Sequence, residues 1–382
     1  MIQSVWPYLA VMLLAAGFWP AIERRFGWKV FEVLPPIVLT YLMVTALSVG
    51  GLWTASPEIH AAQETLVKRL VPALLFLLMI NCDLRAILAL GPRVLGVFAC
   101  TSVSLFAAFI LAFLLFRPWM PGNGWMQLAS LSGSWVGGTA NMIAVKQAIG
   151  MSDTALATTL LTDALCYSMW VVVLFAVARL APAFNRWTRA TSSADMAVAE
   201  TAPRAPATVD SVLLWLGLAL GVAALAAVLG ERLPVGSMVS ATTWTILLAT
   251  IAGLVAAHTP LARLPGAQAV SSAMLVSVVA VLASQSSFAG IAAAPIYLLC
   301  GVSIIALHAV FLCLFARLFH FDLYLCGISS LAHIGGVAAT PVLAATYSRS
   351  LVPVGILLAL LGYIVGTGFG LVVASVLSRL AL

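Results

Sequence analysis

The chain has 382 residues, of which 63% are hydrophobic and only 8% charged, and its formal net charge is +6. Soluble proteins carry roughly 25% charged residues, so this composition excludes a soluble enzyme and a disordered chain. The positive charge does not indicate nucleic-acid binding, because the basic residues form no cluster that could follow a phosphate backbone. At roughly 20 apolar residues per membrane-spanning helix, the sequence predicts a multi-pass protein of the cell (inner or plasma) membrane.

Twelve apolar runs follow one another along the chain, and each is predicted to be helical. In chain order they lie at 4–22, 33–53, 68–82, 93–116, 125–149, 153–180, 211–230, 238–257, 267–288, 294–319, 322–346 and 350–378. One hydrophilic stretch, 181–210, is rich in Ala, Pro, Thr and Ser and has no apolar periodicity, so we interpret it as a flexible cytoplasmic linker. It separates an N-terminal repeat, 1–180, from a C-terminal repeat, 211–382.

The two halves resemble each other around one motif. The matching segments are SLSGSWVGGTANMIAV at 130–145 and ISSLAHIGGVAATPVL at 328–343. An offset of 198 residues superposes the paired glycines of the first segment, Gly137 and Gly138, on those of the second, Gly335 and Gly336. Hydrophobic segments that are interrupted by glycine at matching positions of two halves are typical of secondary transporters.

The distribution of positive charge favours one membrane topology. If all twelve runs crossed the membrane, the repeats would share one orientation and the basic residues would divide almost evenly between the two sides. If each glycine-broken segment enters and returns on one side, five spans per half remain and the repeats are inverted. With the N-terminus outside, the cytoplasmic basic residues are then Arg24, Arg25, Lys29, Arg85, Arg93, Arg179, Arg186, Arg189, Arg204, Arg263, Arg317 and Arg349. Those outside are Lys68, Arg69, Arg117, Arg232 and Arg379.

The positive-inside rule favours the second topology. The predicted fold is therefore an all-α polytopic membrane protein with two inverted repeats of about five spans each. Each repeat also contains one glycine-broken discontinuous helix, which is either re-entrant or fully crossing.

The first broken segment is the most polar stretch within apolar sequence. Its paired glycines permit non-helical backbone angles, and unwound backbone at membrane depth is tolerated where it lines a cavity or is buried in protein. Hydroxyl and amide oxygens here suit a cation or a polar solute. The alternative is close helix packing through small residues. The binding candidates are Ser134, Gly137, Gly138, Thr139 and Asn141.

The second broken segment contains a proline, Pro341, which removes a hydrogen-bond donor and interrupts a helix. Both segments are therefore predicted independently to be discontinuous. The binding candidates are His333, Gly335, Gly336 and Thr340. For His333 two interpretations remain open, since it either contacts the solute or titrates, or it is a neutral histidine that is hydrogen-bonded inside the bundle.

Asp163 is the one acid in the middle of a long apolar run, 153–180. An ionisable residue at membrane depth is by default a functional hypothesis. Its face is polar, with Thr158, Thr159 and Thr162 on the adjoining turn and Tyr167 one turn on. We interpret Asp163 and Thr162 as ion-coupling residues, with a structural ion pair as the alternative for Asp163. Asp83 is a further coupling candidate, although an interfacial ion pair explains it as well.

Two other features are interpreted as packing. His308 stands alone in an apolar run, which favours a satisfied core histidine. Gly362, Gly366 and Gly370 are spaced by four residues, which lets a neighbouring helix approach closely.

No cofactor is expected apart from a coupling ion, either Na⁺ or H⁺. A sodium ion would be held by Thr139, Asn141 and Asp163, which supply oxygen ligands. The chain contains no Walker A motif, no HExxH and no GxSxG, so neither ATP-driven transport nor a familiar hydrolase is indicated.

The two glycine-containing segments, together with NCDLRAIL at 81–88, resemble the uncharacterised YjcL-like family of bacterial and plant membrane proteins. That family is similar to glutamate–sodium symporters and more remotely to bile-acid symporters and NhaA-type antiporters. The resemblance implies an inverted-repeat fold with a scaffold domain, a core domain and two broken elements that meet near the membrane midplane. The first segment lacks the histidine of the GGHGT-type motif of those symporters, and no arginine is placed to hold an α-carboxylate, which disfavours glutamate itself.

The leading functional hypothesis is a secondary active transporter that carries out Na⁺-coupled symport of a small polar or anionic organic solute by alternating access. A cation/proton antiporter with Asp163 as ion carrier is the alternative within the same fold. An intramembrane enzyme that uses His333 and Asp163 is disfavoured because no serine or cysteine nucleophile is paired with a base, so the protein is not expected to be an enzyme. Its expected partners are the solute and the lipid bilayer but no nucleic acid, and a homodimer is an open oligomeric state.

Overall fold

The computed structural model describes residues 1–28, 30–33, 36–54, 56–80, 82–190, 206–235, 240–285 and 294–381. Regular secondary structure in these residues is helical, as the composition predicts, and one isolated bridge joins Ile2 to Trp53. The predicted basic residues Lys29 and Arg204 and the Asn81 of the NCDLRAIL motif lie outside the described residues.

The helices overlap every predicted apolar run, and the run at 322–346 contains two of them. The first half contains α1 (Val5–Phe26), α2 (Val30–Val33), α3 (Pro36–Val49), α4 (Pro57–Met79), α5 (Leu84–Leu88), α6 (Gly91–Phe116), α7 (Gly124–Ile149), α8 (Asp153–Val177) and α9 (Ala181–Thr188). The second half contains α10 (Val209–Gly230), α11 (Ala241–Ala257), α12 (Ala267–Ala283), α13 (Ala294–Phe319), α14 (Leu323–Ile334), α15 (Gly336–Tyr347) and α16 (Val352–Leu380).

Polar side chains at the helix starts explain several of these boundaries. The Ser56 hydroxyl accepts the backbone N–H of Ile59 at 3.3 Å, and proline follows it in the first turn of α4. Asp322 caps α14 by accepting the backbone N–H groups of Tyr324 and Leu325. Such caps satisfy N–H groups that have no partner inside the helix.

In the described part of the chain, six helical segments are long and apolar enough to cross a membrane, which agrees with a polytopic membrane protein. They are Val5–Phe26, Gly91–Trp119, Asp153–Thr188, Val209–Gly230, Pro295–Phe319 and Val352–Leu380. Four shorter apolar helices accompany them, namely Pro36–Val49, Ala241–Ala257, Ala267–Ala283 and Leu323–Ile334. The count of ten spans and the inversion of the repeats stay predictions.

The chain forms two compact units, and each draws segments from both halves of the sequence. Unit 1 contains Met1–Asn81, Lys146–Leu165 and Ala205–Pro295, and in it α4 packs against α10, α11 and α12. Unit 2 contains Cys82–Val145, Cys166–Arg204 and Ile296–Leu382, and in it α14, α15 and α16 pack together with α6. Each compact unit therefore combines helices from both halves of the chain, and the repeats 1–180 and 211–382 stay a prediction.

The stretch 181–210, interpreted as a flexible linker, begins differently from that expectation. Its first residues form the helix α9, in which Thr188 is fully buried and Phe184 packs against the apolar core of unit 2. A helix this short is not stable by itself, so its tertiary contacts stabilise it. These contacts come from distant parts of the chain and leave no local pattern in the sequence. Residues 191–205 lie outside the described residues.

Cysteine labelling tests the predicted topology. A cysteine that replaces Arg186 on α9 should react with a membrane-impermeant maleimide only from the cytoplasmic side. Cysteines that replace Arg117 or Arg232 should react only from the outside, because the positive-inside rule assigns these residues to opposite faces. The measurement is maleimide labelling of intact cells and of inverted vesicles, in a background where the exposed Cys313 is replaced by serine. Labelling of position 186 in intact cells would contradict the ten-span topology.

Candidate functional site

The first broken segment is a helical hairpin. Gly138, inside α7, has φ 77° and ψ 176°, which are not helical angles. The Ser130 hydroxyl donates to the backbone carbonyl of Met142 at 2.9 Å, whereas residues twelve apart in a straight helix are separated by roughly 18 Å. The chain therefore reverses at Gly138, and the two arms of α7 pack side by side.

The second broken segment has the same form. Gly336, at the junction of α14 and α15, has φ 62°. A Cβ built at Gly327 on the first arm would lie 2.8 Å from the hydroxyl oxygen of Tyr347 at the end of the second, so these arms are also antiparallel. Gly138 and Gly336 are the residues that the 198-residue offset superposes, and a positive φ favours glycine at both. Two hairpins favour the re-entrant alternative over two continuous crossings.

Both hairpin tips lie against α16 within unit 2. Ring atom Cε1 of Tyr363 is 3.2 Å from a Cβ built at Gly138 and 3.8 Å from one built at Gly336. A Cβ at Gly366 would lie 2.6 Å from the Cα of Gly137. The close approach predicted for the glycines spaced by four is thus confirmed, and its partner is the first hairpin.

Asn141 fastens the first tip to α16. Its side-chain Nδ2 donates to the carbonyl oxygen of Gly137 and, at 3.4 Å, to that of Tyr363. Its Oδ1 accepts the hydroxyl of Thr367. Thr139 differs, because it is half-buried at the tip and its hydroxyl has no hydrogen bond among the described residues. Of the two candidates, Thr139 therefore has the more exposed side chain, and Asn141 holds the backbone of the tip.

The other candidates on the hairpins are buried in the packing. Ser134 is 3% exposed. Thr340 is fully buried, and its hydroxyl donates to the Gly336 carbonyl at 2.6 Å. A Cβ at Gly335 would meet the side chains of Leu331 and Tyr167 at under 3 Å. These residues shape the hairpins, and in this conformation their side chains are not open to a solute.

His333, on α14 just before the second tip, is fully buried. Its Nδ1 donates to the Ser329 carbonyl at 2.9 Å, and its Nε2 lies 2.8 Å from the Ser102 hydroxyl. Its ring lies on that of Phe98, with the centroids 4.2 Å apart. Of the two open interpretations, the structure favours the hydrogen-bonded histidine inside the bundle, which joins the second hairpin to α6.

His308 is the satisfied core histidine that the sequence predicts. Trp170 donates its indole N–H to the Ser330 hydroxyl at 2.9 Å, and that hydroxyl lies 2.9 Å from Nε2 of His308. Nδ1 lies 2.6 Å from the Ser104 hydroxyl, which donates to the Thr101 carbonyl. If the proton of His308 is on Nδ1, every donor in this series of hydrogen bonds has one acceptor. A neutral imidazole therefore satisfies the whole network.

Among the ion-coupling candidates, Asp163 and Thr162 lie on α8 in unit 1. Asp163 is half-buried, and the Thr162 hydroxyl is buried without a hydrogen-bond partner among the described residues. Asp83, in unit 2, is exposed and caps α5 by accepting the backbone N–H of Arg85 at 2.9 Å. That cap accounts for Asp83 without a coupling ion.

The predicted sodium ligands come from both units, since Thr139 and Asn141 belong to unit 2 and Asp163 belongs to unit 1. Their common site stays a prediction. Within the described part of the chain, no group of three His, Cys, Asp or Glu side chains is arranged to hold a metal ion.

Unit 1 contains a polar cavity of about 400 Å³ that the sequence did not reveal. It is lined by Ser48, Trp53, His60, Gln63, Asp153, Thr154, Ser284 and Gln285. Asp153 pairs with the nearly buried Lys146 at 2.5 Å. A lysine inside an apolar run, followed seven residues later by an acid, was the available signal for this ion pair.

Comparison with known proteins identifies the family of this chain. None of the curated proteins matches the chain. A family model described as "Protein of unknown function (DUF819)" matches residues 8–380, which is nearly the whole chain, and the protein therefore belongs to this family.

Proposed function

We propose that the protein is a secondary active transporter that carries a small polar or anionic organic solute by alternating access, with Na⁺ as the coupling ion. The observation that carries this proposal is the meeting of two glycine-broken helical hairpins at Tyr363. Unwound backbone within a membrane protein is costly unless it is buried or lines a cavity. Two such breaks at equivalent positions of two repeats are the arrangement that transporters use for solute sites.

The chemistry of the tips supports the solute class. The second arm of each hairpin begins at the tip, α15 at Gly336 and the second arm of α7 after Gly138. The first N–H groups of a helix have no partner within it and carry partial positive charge. Two helix starts close to the Tyr363 ring, with the Thr139 hydroxyl beside them, would bind a carboxylate or another polar group.

The surroundings of Asp163 support cation coupling. A buried hydroxyl without a partner is unusual in a folded protein. The Thr162 hydroxyl has none among the described residues, and Thr162 directly precedes an acid in a membrane-length helix. A bound cation would use both. A cation/proton antiporter would use them too, so uptake of solute decides between these functions. We propose no enzymatic activity, because His333, whose Nε2 lies 2.8 Å from the Ser102 hydroxyl, is fully buried in the packing.

Uptake by proteoliposomes tests the solute site. Labelled small carboxylates and neutral amino acids should accumulate in response to an inward sodium gradient. Thr139→Ala should reduce uptake at least tenfold, since it removes an accessible hydroxyl at the tip with little effect on the packing. Thr346→Ala is the matched control, because Thr346 is exposed near the far end of α15. Equal uptake by both variants would show that the first hairpin serves packing only.

The sodium response tests Asp163. A ligand that binds the folded state raises thermal stability by mass action, by about 2.7 kcal/mol at one hundred times its dissociation constant. Sodium should therefore raise the melting temperature of the wild type, and Asp163→Asn should abolish that shift and the sodium dependence of uptake. Potassium at equal ionic strength is the control. If the Asp163→Asn variant keeps the sodium-dependent rise in melting temperature, Asp163 is not part of the coupling site.

A further inference from the structure

Four helix ends of unit 2, one of them that of α9, lie close together. The side-chain carbonyl of Asn185 accepts the backbone N–H of Leu323, the first residue of α14, at 3.0 Å. Nδ1 of His320 donates to the Thr188 carbonyl at 2.7 Å. Nη2 of Arg93 donates to the His320 carbonyl at 3.4 Å. These bonds place α9, the end of α13, the beginning of α14 and the beginning of α6 at one end of the unit.

This end carries an excess of positive charge on exposed and half-buried side chains. Its arginines, which we call the arginine face, are Arg93, Arg179, Arg186, Arg189 and Arg317. Among the residues that the structure describes, two acids accompany them. Asp322 is fully buried beneath Arg93, at 3.7 Å from its guanidinium, and Asp83 is exposed but caps α5. The topology predicted above assigns every arginine of this face to the cytoplasmic side.

The same end lies where membrane-length helices stop. The candidate span Gly91–Trp119 begins here, and the candidate spans that finish at Thr188 and Phe319 end here. Trp187 and Phe319 are about half exposed beside the arginines. Tryptophan and other amphipathic side chains concentrate at the headgroup level of a bilayer. If these helices span a bilayer as their length and composition indicate, the arginines lie at the depth of the phospholipid phosphates.

We infer that the arginine face is a binding site for the headgroups of anionic phospholipids. Guanidinium groups bind phosphate through two parallel hydrogen bonds, and basic residues at a membrane surface are attracted to anionic lipid. Arg186 and Arg189 belong to the segment that Asn185 and Thr188 tie to the base of the second hairpin. Lipid bound there stabilises α9 in its docked position and, with it, the start of α14. The inference does not depend on the proposed transport function.

Lipid-dependent thermal stability of the purified full-length protein in detergent tests this site. Phosphatidylglycerol should raise the melting temperature in a saturable way, and phosphatidylcholine at the same concentration should raise it much less. The double variant Arg186→Gln/Arg189→Gln should need about tenfold more phosphatidylglycerol for the half-maximal shift, since each arginine near the surface contributes attraction. The charge-retaining variant Arg186→Lys/Arg189→Lys should need a phosphatidylglycerol concentration between that of the wild type and that of the glutamine variant.

Arg117 and Arg379, exposed at the opposite end of unit 2 where Arg117 contacts the Leu380 carbonyl, provide the matched control. Arg117→Gln/Arg379→Gln removes the same charge and should keep the wild-type response. If Arg186→Gln/Arg189→Gln does not fold, Arg179→Gln/Arg317→Gln gives the same test. Equal shifts with both lipids, or equal loss in the control variant, would overturn the proposal. A shift that inorganic phosphate alone reproduces would also overturn it in favour of a free-anion site.

Discussion

Replacing Gly366 by alanine is expected to lower thermal stability and to abolish solute uptake. A Cβ at this position would lie 2.6 Å from the Cα and 2.8 Å from the backbone nitrogen of Gly137. Backbone atoms at a hairpin tip cannot turn away as a flexible side chain can, so α16 and the tip must separate. Overpacking of this kind costs about 1–3 kcal/mol, and it moves the tip at which the solute is proposed to bind.

Gly368 is the matched control, two residues further along α16. A Cβ there meets no atom within 4 Å. Gly368→Ala should therefore leave uptake unchanged and raise the melting temperature slightly, because alanine favours a helix interior over glycine by up to about 1 kcal/mol. Thermal unfolding and proteoliposome uptake of the two variants give the comparison. Identical behaviour of the two would show that α16 does not press on the first hairpin.

Asn141→Leu is expected to cost both stability and transport. The substitution leaves the Gly137 and Tyr363 carbonyls and the Thr367 hydroxyl without their partner. A buried polar group that loses its hydrogen bond costs about 1–3 kcal/mol, so the melting temperature should fall clearly. The tip would also lose its attachment to α16, which is why uptake should fall with it.

A double-mutant cycle separates this attachment from a general loss of packing. Thr367→Val removes the hydroxyl that Asn141 accepts, so the double variant Asn141→Leu/Thr367→Val should lose less stability than the two single losses added together. Contacting residues typically couple by about 0.5–3 kcal/mol. Additive losses in thermal unfolding would mean that the two side chains act independently. Ser303→Ala, on an exposed hydroxyl of α13, serves as a control for substitution within a membrane-length helix.

The positions of the helices and of their interruptions could be predicted from the sequence because their causes are local. Apolar runs of membrane length specify helices because the bilayer core that surrounds them offers no hydrogen-bond partner to the backbone. The breaks at Gly138 and Gly336 follow from a backbone angle that glycine adopts easily. The duplication at an offset of 198 residues made both breaks visible, and the structure places positive φ at these two residues.

The identity of each neighbour could not be predicted, because it depends on segments far apart in the chain. Asn141 and Thr367 are separated by 226 positions and His333 and Ser102 by 231. These contacts decide that Asn141 fastens the tip and that His333 is enclosed, whereas composition alone made both equal candidates for the solute.

The sequence by itself determined an all-helical membrane protein with two matching helix breaks, since hydrophobicity and backbone preference act over a few residues. Only the tertiary structure decided how the helices divide into two units, that both tips meet Tyr363, and that the Thr139 hydroxyl stays accessible. The physical reason is that packing selects among helix surfaces that are all apolar. In such a set, small differences in shape, such as the glycines of α16, determine which helices come together.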